Sequence, residues 1–267
     1  MQATTPGMNR TGAVASPAGS QAMMQAADEL TPPMPIDTSS SRAQRARYIN
    51  ESEPVGSIPI PASMKGMVKS GIAKLKGGNP SILLDKIGER VAFERGGTRL
   101  YDALLTKYEA VSEMDGGLLP TAEEAIAAAG GDVASHLQGE SALETMTRIR
   151  AEELQHFGLL CDAMTGLGGD PTAQTPCADV TATASMGLIQ VVTDPRTTLA
   201  QSLNVMLTAE LTDNAGWELL IQLADEAGEA ELAGQFLAAL SQEQEHLLVV
   251  KSWLATLVST RAGTPAV

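Results

Sequence analysis

The chain of 267 residues is predicted to be all-α, and three features of its sequence support this fold class. Hydrophobic residues make up 43% of the chain but aromatic residues only 3%, so the core is built mainly from Leu, Ala, Ile, Val and Met. Runs of strand-favouring residues are few. Four long stretches after residue 78 carry helix start and stop signals, and the last two are joined so closely that they must be antiparallel neighbours.

Residues 1–78 are predicted to be a disordered or linker extension. The first 62 or so are rich in Pro, Ser, Thr, Ala, Gly and Gln and have no sustained hydrophobic period. In residues 64–76, lysines alternate with apolar residues at roughly helical spacing, which indicates a short basic amphipathic segment. Such a segment can contact a protein partner, but a solvated linker or a segment packed on the chain's own acidic domain would show the same pattern.

Helices A and B of the predicted folded domain, residues 79–262, are marked by their first residues. Helix A begins at Asn79-Pro80, a capping residue followed by proline in the first turn, and ends near Asp115. Helix B begins with the capping box Ser141-x-x-Glu144 and ends at the glycines around 166–169. The connection of about 25 residues between them includes a short helical stretch that begins at Thr121.

Helices C and D complete the four. Helix C is predicted to begin at Asp194-Pro195 and to close near Gly228, and helix D to run from about Glu229 to Thr260. The connection from B to C also takes about 25 residues, enough to cross the full length of a bundle. One long crossover between the second and third helices is typical of ferritin-like bundles.

Charge and cysteine content limit the partners and the compartment. The net charge is −14, with 12 basic and 8 acidic residues up to residue 100 but only 6 basic and 24 acidic residues after it. Because the acidic body repels phosphate backbones, we expect no nucleic-acid partner. Two cysteines are too few for a disulfide framework, and the sequence has neither a signal peptide nor a long apolar run. We therefore expect a cytoplasmic protein without a transmembrane segment.

The motif Glu-x-x-His occurs twice, as Glu153 to His156 and as Glu243 to His246, and uses two of the three histidines. Residues three apart lie on one face of a helix, so a carboxylate and an imidazole can converge on one point. Single glutamates on helices A and C, Glu94 and Glu210, complete the ligand set of a dinuclear carboxylate site. Each glutamate lies 12 to 15 residues into its predicted helix, so antiparallel helices bring all four into one layer.

Four carboxylates gathered in an apolar core would repel one another and take up protons, whereas two divalent cations would neutralise them. An oxygen-rich shell with one imidazole per ion suits iron or manganese, and zinc also fits it. The predicted metal ligands are Glu94, Glu153, His156, Glu210, Glu243 and His246.

Four further residues are predicted to lie beside the ligands. Tyr101 and Trp217 follow Glu94 and Glu210 by two helical turns, and we expect packed aromatic rings there, with redox activity as the alternative. Asp213 and Asn214, one turn beyond Glu210, are candidate hydrogen-bond partners of the histidines.

These six ligand positions resemble the ferritin-like superfamily of bacterial di-iron carboxylate proteins over roughly residues 80–260. The resemblance implies two iron ions and an oxidoreductase of ferroxidase or peroxidase type, which reacts with dioxygen or peroxide and draws electrons from ferrous iron or an external donor. It also implies a homo-oligomer. A di-manganese catalase has a similar ligand set. A different class of function is a binding or scaffold protein with a structural metal, tethered to a partner through residues 1–76.

Overall fold

The computed structural model describes residues 16–34, 37–53, 55, 80–115 and 119–263. Within these ranges the chain forms helices and turns and no strand, which confirms the all-α prediction. The chain divides into two compact units, Met1–Pro54 and Val55–Val267. The basic amphipathic segment predicted at residues 64–76 lies outside the described residues.

The first unit contains two helices, α1 (Pro17–Leu30) and α2 (Ser39–Glu51), where the sequence predicts no regular structure. Helix α1 has a clear start signal, because the Ser16 hydroxyl accepts a hydrogen bond from the backbone N–H of Gly19 and Pro17 follows the cap. Neither helix has a buried residue. These helices therefore form without a hydrophobic core of their own.

The described part of the second unit holds four long helices and two shorter ones. None of the helices in the described residues combines the length and the apolar character needed to cross a membrane. The elements are α3 (Pro80–Asp115), α4 (Ala122–Ala128), a 3₁₀ turn (Ser135–Leu137), α5 (Ala142–Gly166), α6 (Pro176–Thr193), α7 (Leu199–Glu226) and α8 (Ala230–Gly263).

Most predicted boundaries agree with these helices, and the main error lies between α5 and α7. The sequence places the start of helix C at Asp194-Pro195, but Asp194 is the C-terminal cap of α6. Helix α7 begins five residues after Asp194, at Leu199, behind a capping box formed by Thr198 and Gln201. The sequence carries a start signal for α6, the cap Thr175 followed by Pro176, within the stretch predicted to connect helices B and C.

The core of the second unit consists of two apolar clusters with a buried polar layer between them. Each of the four long helices contributes to both clusters. We name the clusters after their tryptophans. The Trp217 cluster includes Leu83, Ile87, Val91, Leu160, Met164, Trp217, Leu220 and Phe236, and the Trp253 cluster includes Leu100, Leu104, Met146, Ile149, Leu203, Met206, Val249 and Trp253.

The order of the clusters along each helix gives the direction of that helix. Helices α3 and α8 pass from the Trp217 cluster to the Trp253 cluster, whereas α5 and α7 pass the other way. Helix α3 packs against α5, and α7 packs against α8, so both pairs are antiparallel. Since α5 and α7 run in the same direction, the chain must return between them from one end of the core to the other.

Helix α6 makes this return along the side of α3. At its start, the backbone N–H of Cys177 donates to Asp85 Oδ1 over 2.9 Å, near the beginning of α3. At its end, Lys107 Nζ donates to the carbonyl oxygen of Asp194 over 3.0 Å. These two anchors hold α6 at the two ends of the core, and the buried polar layer lies between them.

The cap of α5 is expected to stabilise the second unit measurably. The Ser141 hydroxyl accepts a hydrogen bond from the backbone N–H of Glu144, and Glu144 bonds back to the N–H of Ser141. The substitution Ser141→Ala should lower the free energy of unfolding by about 1 kcal/mol in urea denaturation, whereas Ser141→Gly should cost only a few tenths. Equal and negligible losses in both variants would contradict this role of the cap.

Candidate metal centre

The six predicted ligands meet in the buried polar layer between the two apolar clusters. Helices α3 and α7 each bring one glutamate, and α5 and α8 each bring one Glu-x-x-His pair. None of the six is more than 2% exposed to solvent. The residues are Glu94, Glu153, His156, Glu210, Glu243 and His246.

The ligand atoms of these residues form overlapping sets in which all atoms lie within 4.8 Å of one another. One set contains Glu94, His156 and Glu243, and a second contains Glu153, Glu210, Glu243 and His246. A third set joins Glu94 to Glu153, Asp213 and Glu243. Glu153 and Glu243 thus each lie close to both Glu94 and Glu210, so the cluster has two ends and a shared middle.

Both imidazoles turn the same ring nitrogen towards this cluster. His156 Nδ1 lies 2.6 Å from Glu243 Oε1 and 3.8 Å from Glu94 Oε2. His246 Nδ1 lies 3.3 Å from Glu243 Oε2 and 3.8 Å from Glu153 Oε1. Each end of the cluster therefore has one imidazole nitrogen among its carboxylate oxygens.

Seven ligand atoms in the cluster are buried and make no well-aligned hydrogen bond, although His156 Nδ1 and Glu243 Oε1 lie within 2.6 Å of each other. Leaving a buried polar atom unpaired costs about 1–3 kcal/mol, and more when the atom carries charge. Cations held among these atoms would remove that cost, so the donor set fits metal ions. The seven atoms are Glu94 Oε2, Glu153 Oε2, Glu210 Oε2, both carboxylate oxygens of Glu243, His156 Nδ1 and His246 Nδ1.

Burial and mutual repulsion raise the pKa values of three of the four glutamates. Burial is the largest cause for each, followed for Glu153 and Glu210 by the charge of Glu243. The pKa of Glu210 rises to about 8, and that of Glu153 rises well above its ordinary value. Burial raises the pKa of Glu94 to about 7, although the neighbouring Arg90 charge opposes the rise. Without cations, these carboxyls hold protons near neutral pH.

Glu243 and the histidines shift in the opposite sense, towards their charged forms. Burial opposes ionisation of Glu243, but the charges of His246 and His156 lower its pKa to about 2. Burial likewise opposes the charged form of His246, but the Glu243 carboxylate raises the pKa of His246 to about 10. The central carboxylate and the imidazoles thus partly neutralise one another.

A buried arginine, which the sequence analysis did not identify, lies beside the cluster. Arg90 is one turn before Glu94 on α3, and its Nη2 donates to Glu94 Oε1 over 3.1 Å. The same guanidinium forms an ion pair with Asp213 and covers the face of the Phe93 ring at 4.3 Å. Asp213 therefore pairs with an arginine and not with a histidine as predicted.

Each of the two predicted aromatic neighbours contacts a ligand at the end of the cluster that lies opposite the glutamate on its own helix. The Tyr101 hydroxyl donates to Glu210 Oε1 over 2.5 Å. The Trp217 ring lies edge-on to the His156 ring, with 5.5 Å between the ring centroids. Both side chains are fully buried. Each ring thus connects one pair of antiparallel helices to a ligand on the other pair.

The outer nitrogens of the histidines bond to residues that the sequence analysis did not select. His156 Nε2 lies 2.9 Å from Gln242 Oε1, and His246 Nε2 lies 2.8 Å from Glu152 Oε2. The histidine contact predicted for Asn214 is not made, because its Nδ2 donates to the backbone carbonyl oxygens of Glu210 and Glu243. A signal existed in the sequence, since Glu152 and Gln242 each directly precede the glutamate of a motif.

Two glycines in the long helices make room for polar side chains of the site. A β-carbon at Gly97 would lie 2.0 Å from Glu153 Oε2, and one at Gly216 would lie 2.6 Å from Arg90 Nη1. Glycine inside a helix costs about 1 kcal/mol relative to alanine. The helices therefore give up intrinsic stability at the positions where the carboxylate and the guanidinium need the space.

Comparisons with known proteins returned no match for this chain, whether against protein-family models, curated proteins or solved structures. The functional argument therefore rests on the geometry and chemistry of the buried cluster.

The metal-free protein is expected to lose stability as the pH rises from about 5 to about 9. The pKa values of Glu94 and Glu210 rise from 4.5 to about 7 and 8 on folding, and that of His246 rises from 6.5 to about 10. Between these values the folded chain binds more protons than the unfolded chain, so its stability falls with increasing pH. Thermal unfolding of chelator-treated protein across this range tests the prediction.

The double variant Glu94→Gln/Glu210→Gln supplies the control for this pH series. It removes two of the groups whose pKa values rise on folding, while Glu153 and the histidines remain, and should reduce the slope of the unfolding temperature against pH. Wild-type protein whose unfolding temperature rises between pH 5 and pH 9 would contradict the assigned directions.

The neighbouring glycines Gly96 and Gly97 allow a matched test of the site geometry. We expect Gly97→Ala to displace the Glu153 carboxylate and to reduce the metal bound per chain. A β-carbon at Gly96 would meet no atom within 4 Å, so Gly96→Ala should leave metal binding intact and stabilise the fold by up to about 1 kcal/mol. Metal analysis of both variants, with urea unfolding, separates the two effects; equal metal content in both would contradict the steric role of Gly97.

Proposed function

We propose that the second unit is a ferritin-like antiparallel four-helix bundle that binds two metal ions and acts as a di-iron oxidoreductase. The observation that carries this proposal is one buried cluster with two ends and a shared middle, in which seven ligand atoms make no well-aligned hydrogen bond. The directions of α3, α5, α7 and α8, with α6 as the return between α5 and α7, support the ferritin-like topology.

The arrangement suggests how the ligands would be divided between two ions. Glu94 and His156 would hold one ion, Glu210 and His246 would hold the other, and Glu153 and Glu243 are close to both ends. The four glutamates carry four negative charges when ionised, and two divalent cations balance them. The ion pair of Arg90 with Asp213 adds no net charge to this sum.

A bound pair of iron ions would supply the electrons for reduction of dioxygen or peroxide. The chain's residues would provide the environment for that reaction. The apolar clusters on both sides exclude water from the cluster. Tyr101 occupies Glu210 Oε1 and Arg90 occupies Glu94 Oε1, so each of these carboxylates leaves its Oε2 for a metal. Ferrous iron as substrate, or an external reductant, would provide electrons for further turnovers.

Metal analysis of protein from iron- and manganese-supplemented cells tests the proposal. We expect about two ions per chain, and their loss in the double variant Glu153→Ala/Glu243→Ala. The control Glu218→Ala/Glu231→Ala removes two exposed glutamates from α7 and α8 and should keep both ions. Bound iron together with oxidation of ferrous iron or reduction of peroxide would support the di-iron proposal. Bound manganese together with disproportionation of peroxide would support a catalase. No bound metal in a folded wild-type protein would contradict both.

A second candidate function, a scaffold with a structural metal, is favoured by the first unit. Its helices bury no residue and expose large hydrophobic side chains, among them Met23, Met24, Leu30 and Ile49. Such side chains can bind a protein partner. In this case, deletion of residues 1–54 should abolish complex formation, and the full-length protein should bind metal without turning over ferrous iron or peroxide. Turnover that survives the deletion would favour the enzyme.

A further inference from the structure

The two Glu-x-x-His motifs support each other's histidines across the bundle. Glu152 directly precedes the motif on α5 and bonds to His246 of the motif on α8. Gln242 directly precedes the motif on α8 and bonds to His156 of the motif on α5. The two contacts are nearly equal in length, 2.8 and 2.9 Å, and each holds the nitrogen that faces away from the cluster.

The two histidine partners occupy matching positions in the two motifs but differ in charge. Glu152 is an ionised carboxylate, because Arg148 Nη1 lies 3.0 Å from Glu152 Oε2. The same guanidinium also pairs with Glu140 and Glu245, so one positive charge is shared among three carboxylates and does not cancel that of Glu152. Gln242 is a neutral amide of the same size and shape. A carboxylate that accepts the outer N–H of a histidine makes its imidazole a stronger metal ligand, and losing such a partner typically costs 10–100-fold in metal affinity. His246 is therefore the stronger imidazole ligand of the two.

The glutamates at the two ends of the cluster, Glu94 and Glu210, also differ in a way that favours metal binding beside His246. Glu94 Oε1 accepts a hydrogen bond from the Arg90 guanidinium, a charged donor, whereas Glu210 Oε1 accepts one from the neutral hydroxyl of Tyr101. A charged donor draws more electron density from a carboxylate than a neutral donor does. Asp213 balances the guanidinium charge, so this difference is smaller than that between the histidines.

We propose that the two halves of the cluster bind metal with unequal affinity, and that the Glu152/Gln242 difference sets their order. This inference rests on the proposed function. The half formed by Glu210 and His246 fills first and holds its ion tightly. The half formed by Glu94 and His156 fills second and releases its ion more readily. It is therefore the half at which ferrous iron, if it is the substrate, would enter and leave.

The order of filling can be measured on the full-length, metal-free protein with Mn²⁺ as the probe. We expect calorimetric titration to show two steps of different affinity. One equivalent should give the electron paramagnetic resonance signal of an isolated ion, and the second equivalent should convert it to that of a coupled pair. Anomalous diffraction from crystals grown with one equivalent should place the ion beside His246.

Two single variants each change one histidine partner from carboxylate to amide or the reverse, and their combination exchanges the two. Glu152→Gln keeps an acceptor for His246 and should weaken the first step by less than the roughly 10–100-fold that loss of the partner costs, and Gln242→Glu should strengthen the second step. The combined variant Glu152→Gln/Gln242→Glu should bind the first ion beside His156, which is the reverse of the wild type. Because the exchanged side chains have nearly the same shape, circular dichroism and thermal unfolding should show folded proteins in all three cases. If one single variant fails to fold, the other still tests the assignment.

The outcomes separate this inference from the proposed function. Two ions that bind with equal affinity, unchanged in the variants, would overturn the inference and leave the dinuclear site standing. First occupancy beside His156 in the wild type would overturn it as well. Absence of any Mn²⁺ binding to the folded wild-type chain would instead remove the proposed dinuclear function on which the inference rests.

Discussion

Repulsion among four glutamates buried at one level of an apolar core is the constraint on which the rest of this structure depends. Glu94, Glu153, Glu210 and Glu243 have at most 2% of their surface exposed. Burying one unpaired carboxylate costs several kcal/mol, and gathering four without compensation raises the cost further. A fold can keep such a layer only if protons, internal cations or bound metal ions offset the charge.

Several features of the chain are local responses to this constraint. Arg90, an arginine that is 2% exposed, supplies an internal cation next to Glu94, and the small residue Gly216 leaves room for it. Gly97 does the same for the Glu153 carboxylate. The hydrogen bond from Tyr101 orients the Glu210 carboxylate, and the bonds of His246 to Glu152 and of His156 to Gln242 orient the two imidazoles. These contacts leave the inward-facing atoms unpaired, which is the arrangement expected of ligands preorganised for cations.

The sequence predicted the elements governed by local or periodic signals. The all-α class and the starts of α3 and α5 followed from composition and from capping residues, and the equal depth of the four glutamates predicted their meeting. Helix α6 lies within the stretch of about 25 residues that the sequence analysis assigns to the connection between helices B and C, although Thr175-Pro176 is a helix start signal. Contacts between helices were harder to predict. The burial of Arg90 in an ion pair could not be predicted, because its partner Asp213 lies on another helix and is brought beside it only by packing.

The partners of the histidines show the same limit. The position of Asp213 and Asn214 one turn from Glu210 predicts that they bond to the histidines, but the outer ring nitrogens point towards residues on the helix that carries the other motif. That direction depends on how α5 and α8 face each other, which spacing along one helix does not specify. A search for acceptors at matching positions of the two motifs would have found Glu152 and Gln242.

X-ray absorption spectroscopy of the metal-loaded protein tests the central claim, a dinuclear carboxylate centre in the buried layer, most directly. The account predicts a shell of oxygen and nitrogen ligands and a second metal ion at about 3.5–4 Å, with both features lost from the Glu153→Ala/Glu243→Ala variant. A spectrum with no metal neighbour, or with sulfur ligands from Cys161 or Cys177, would contradict it.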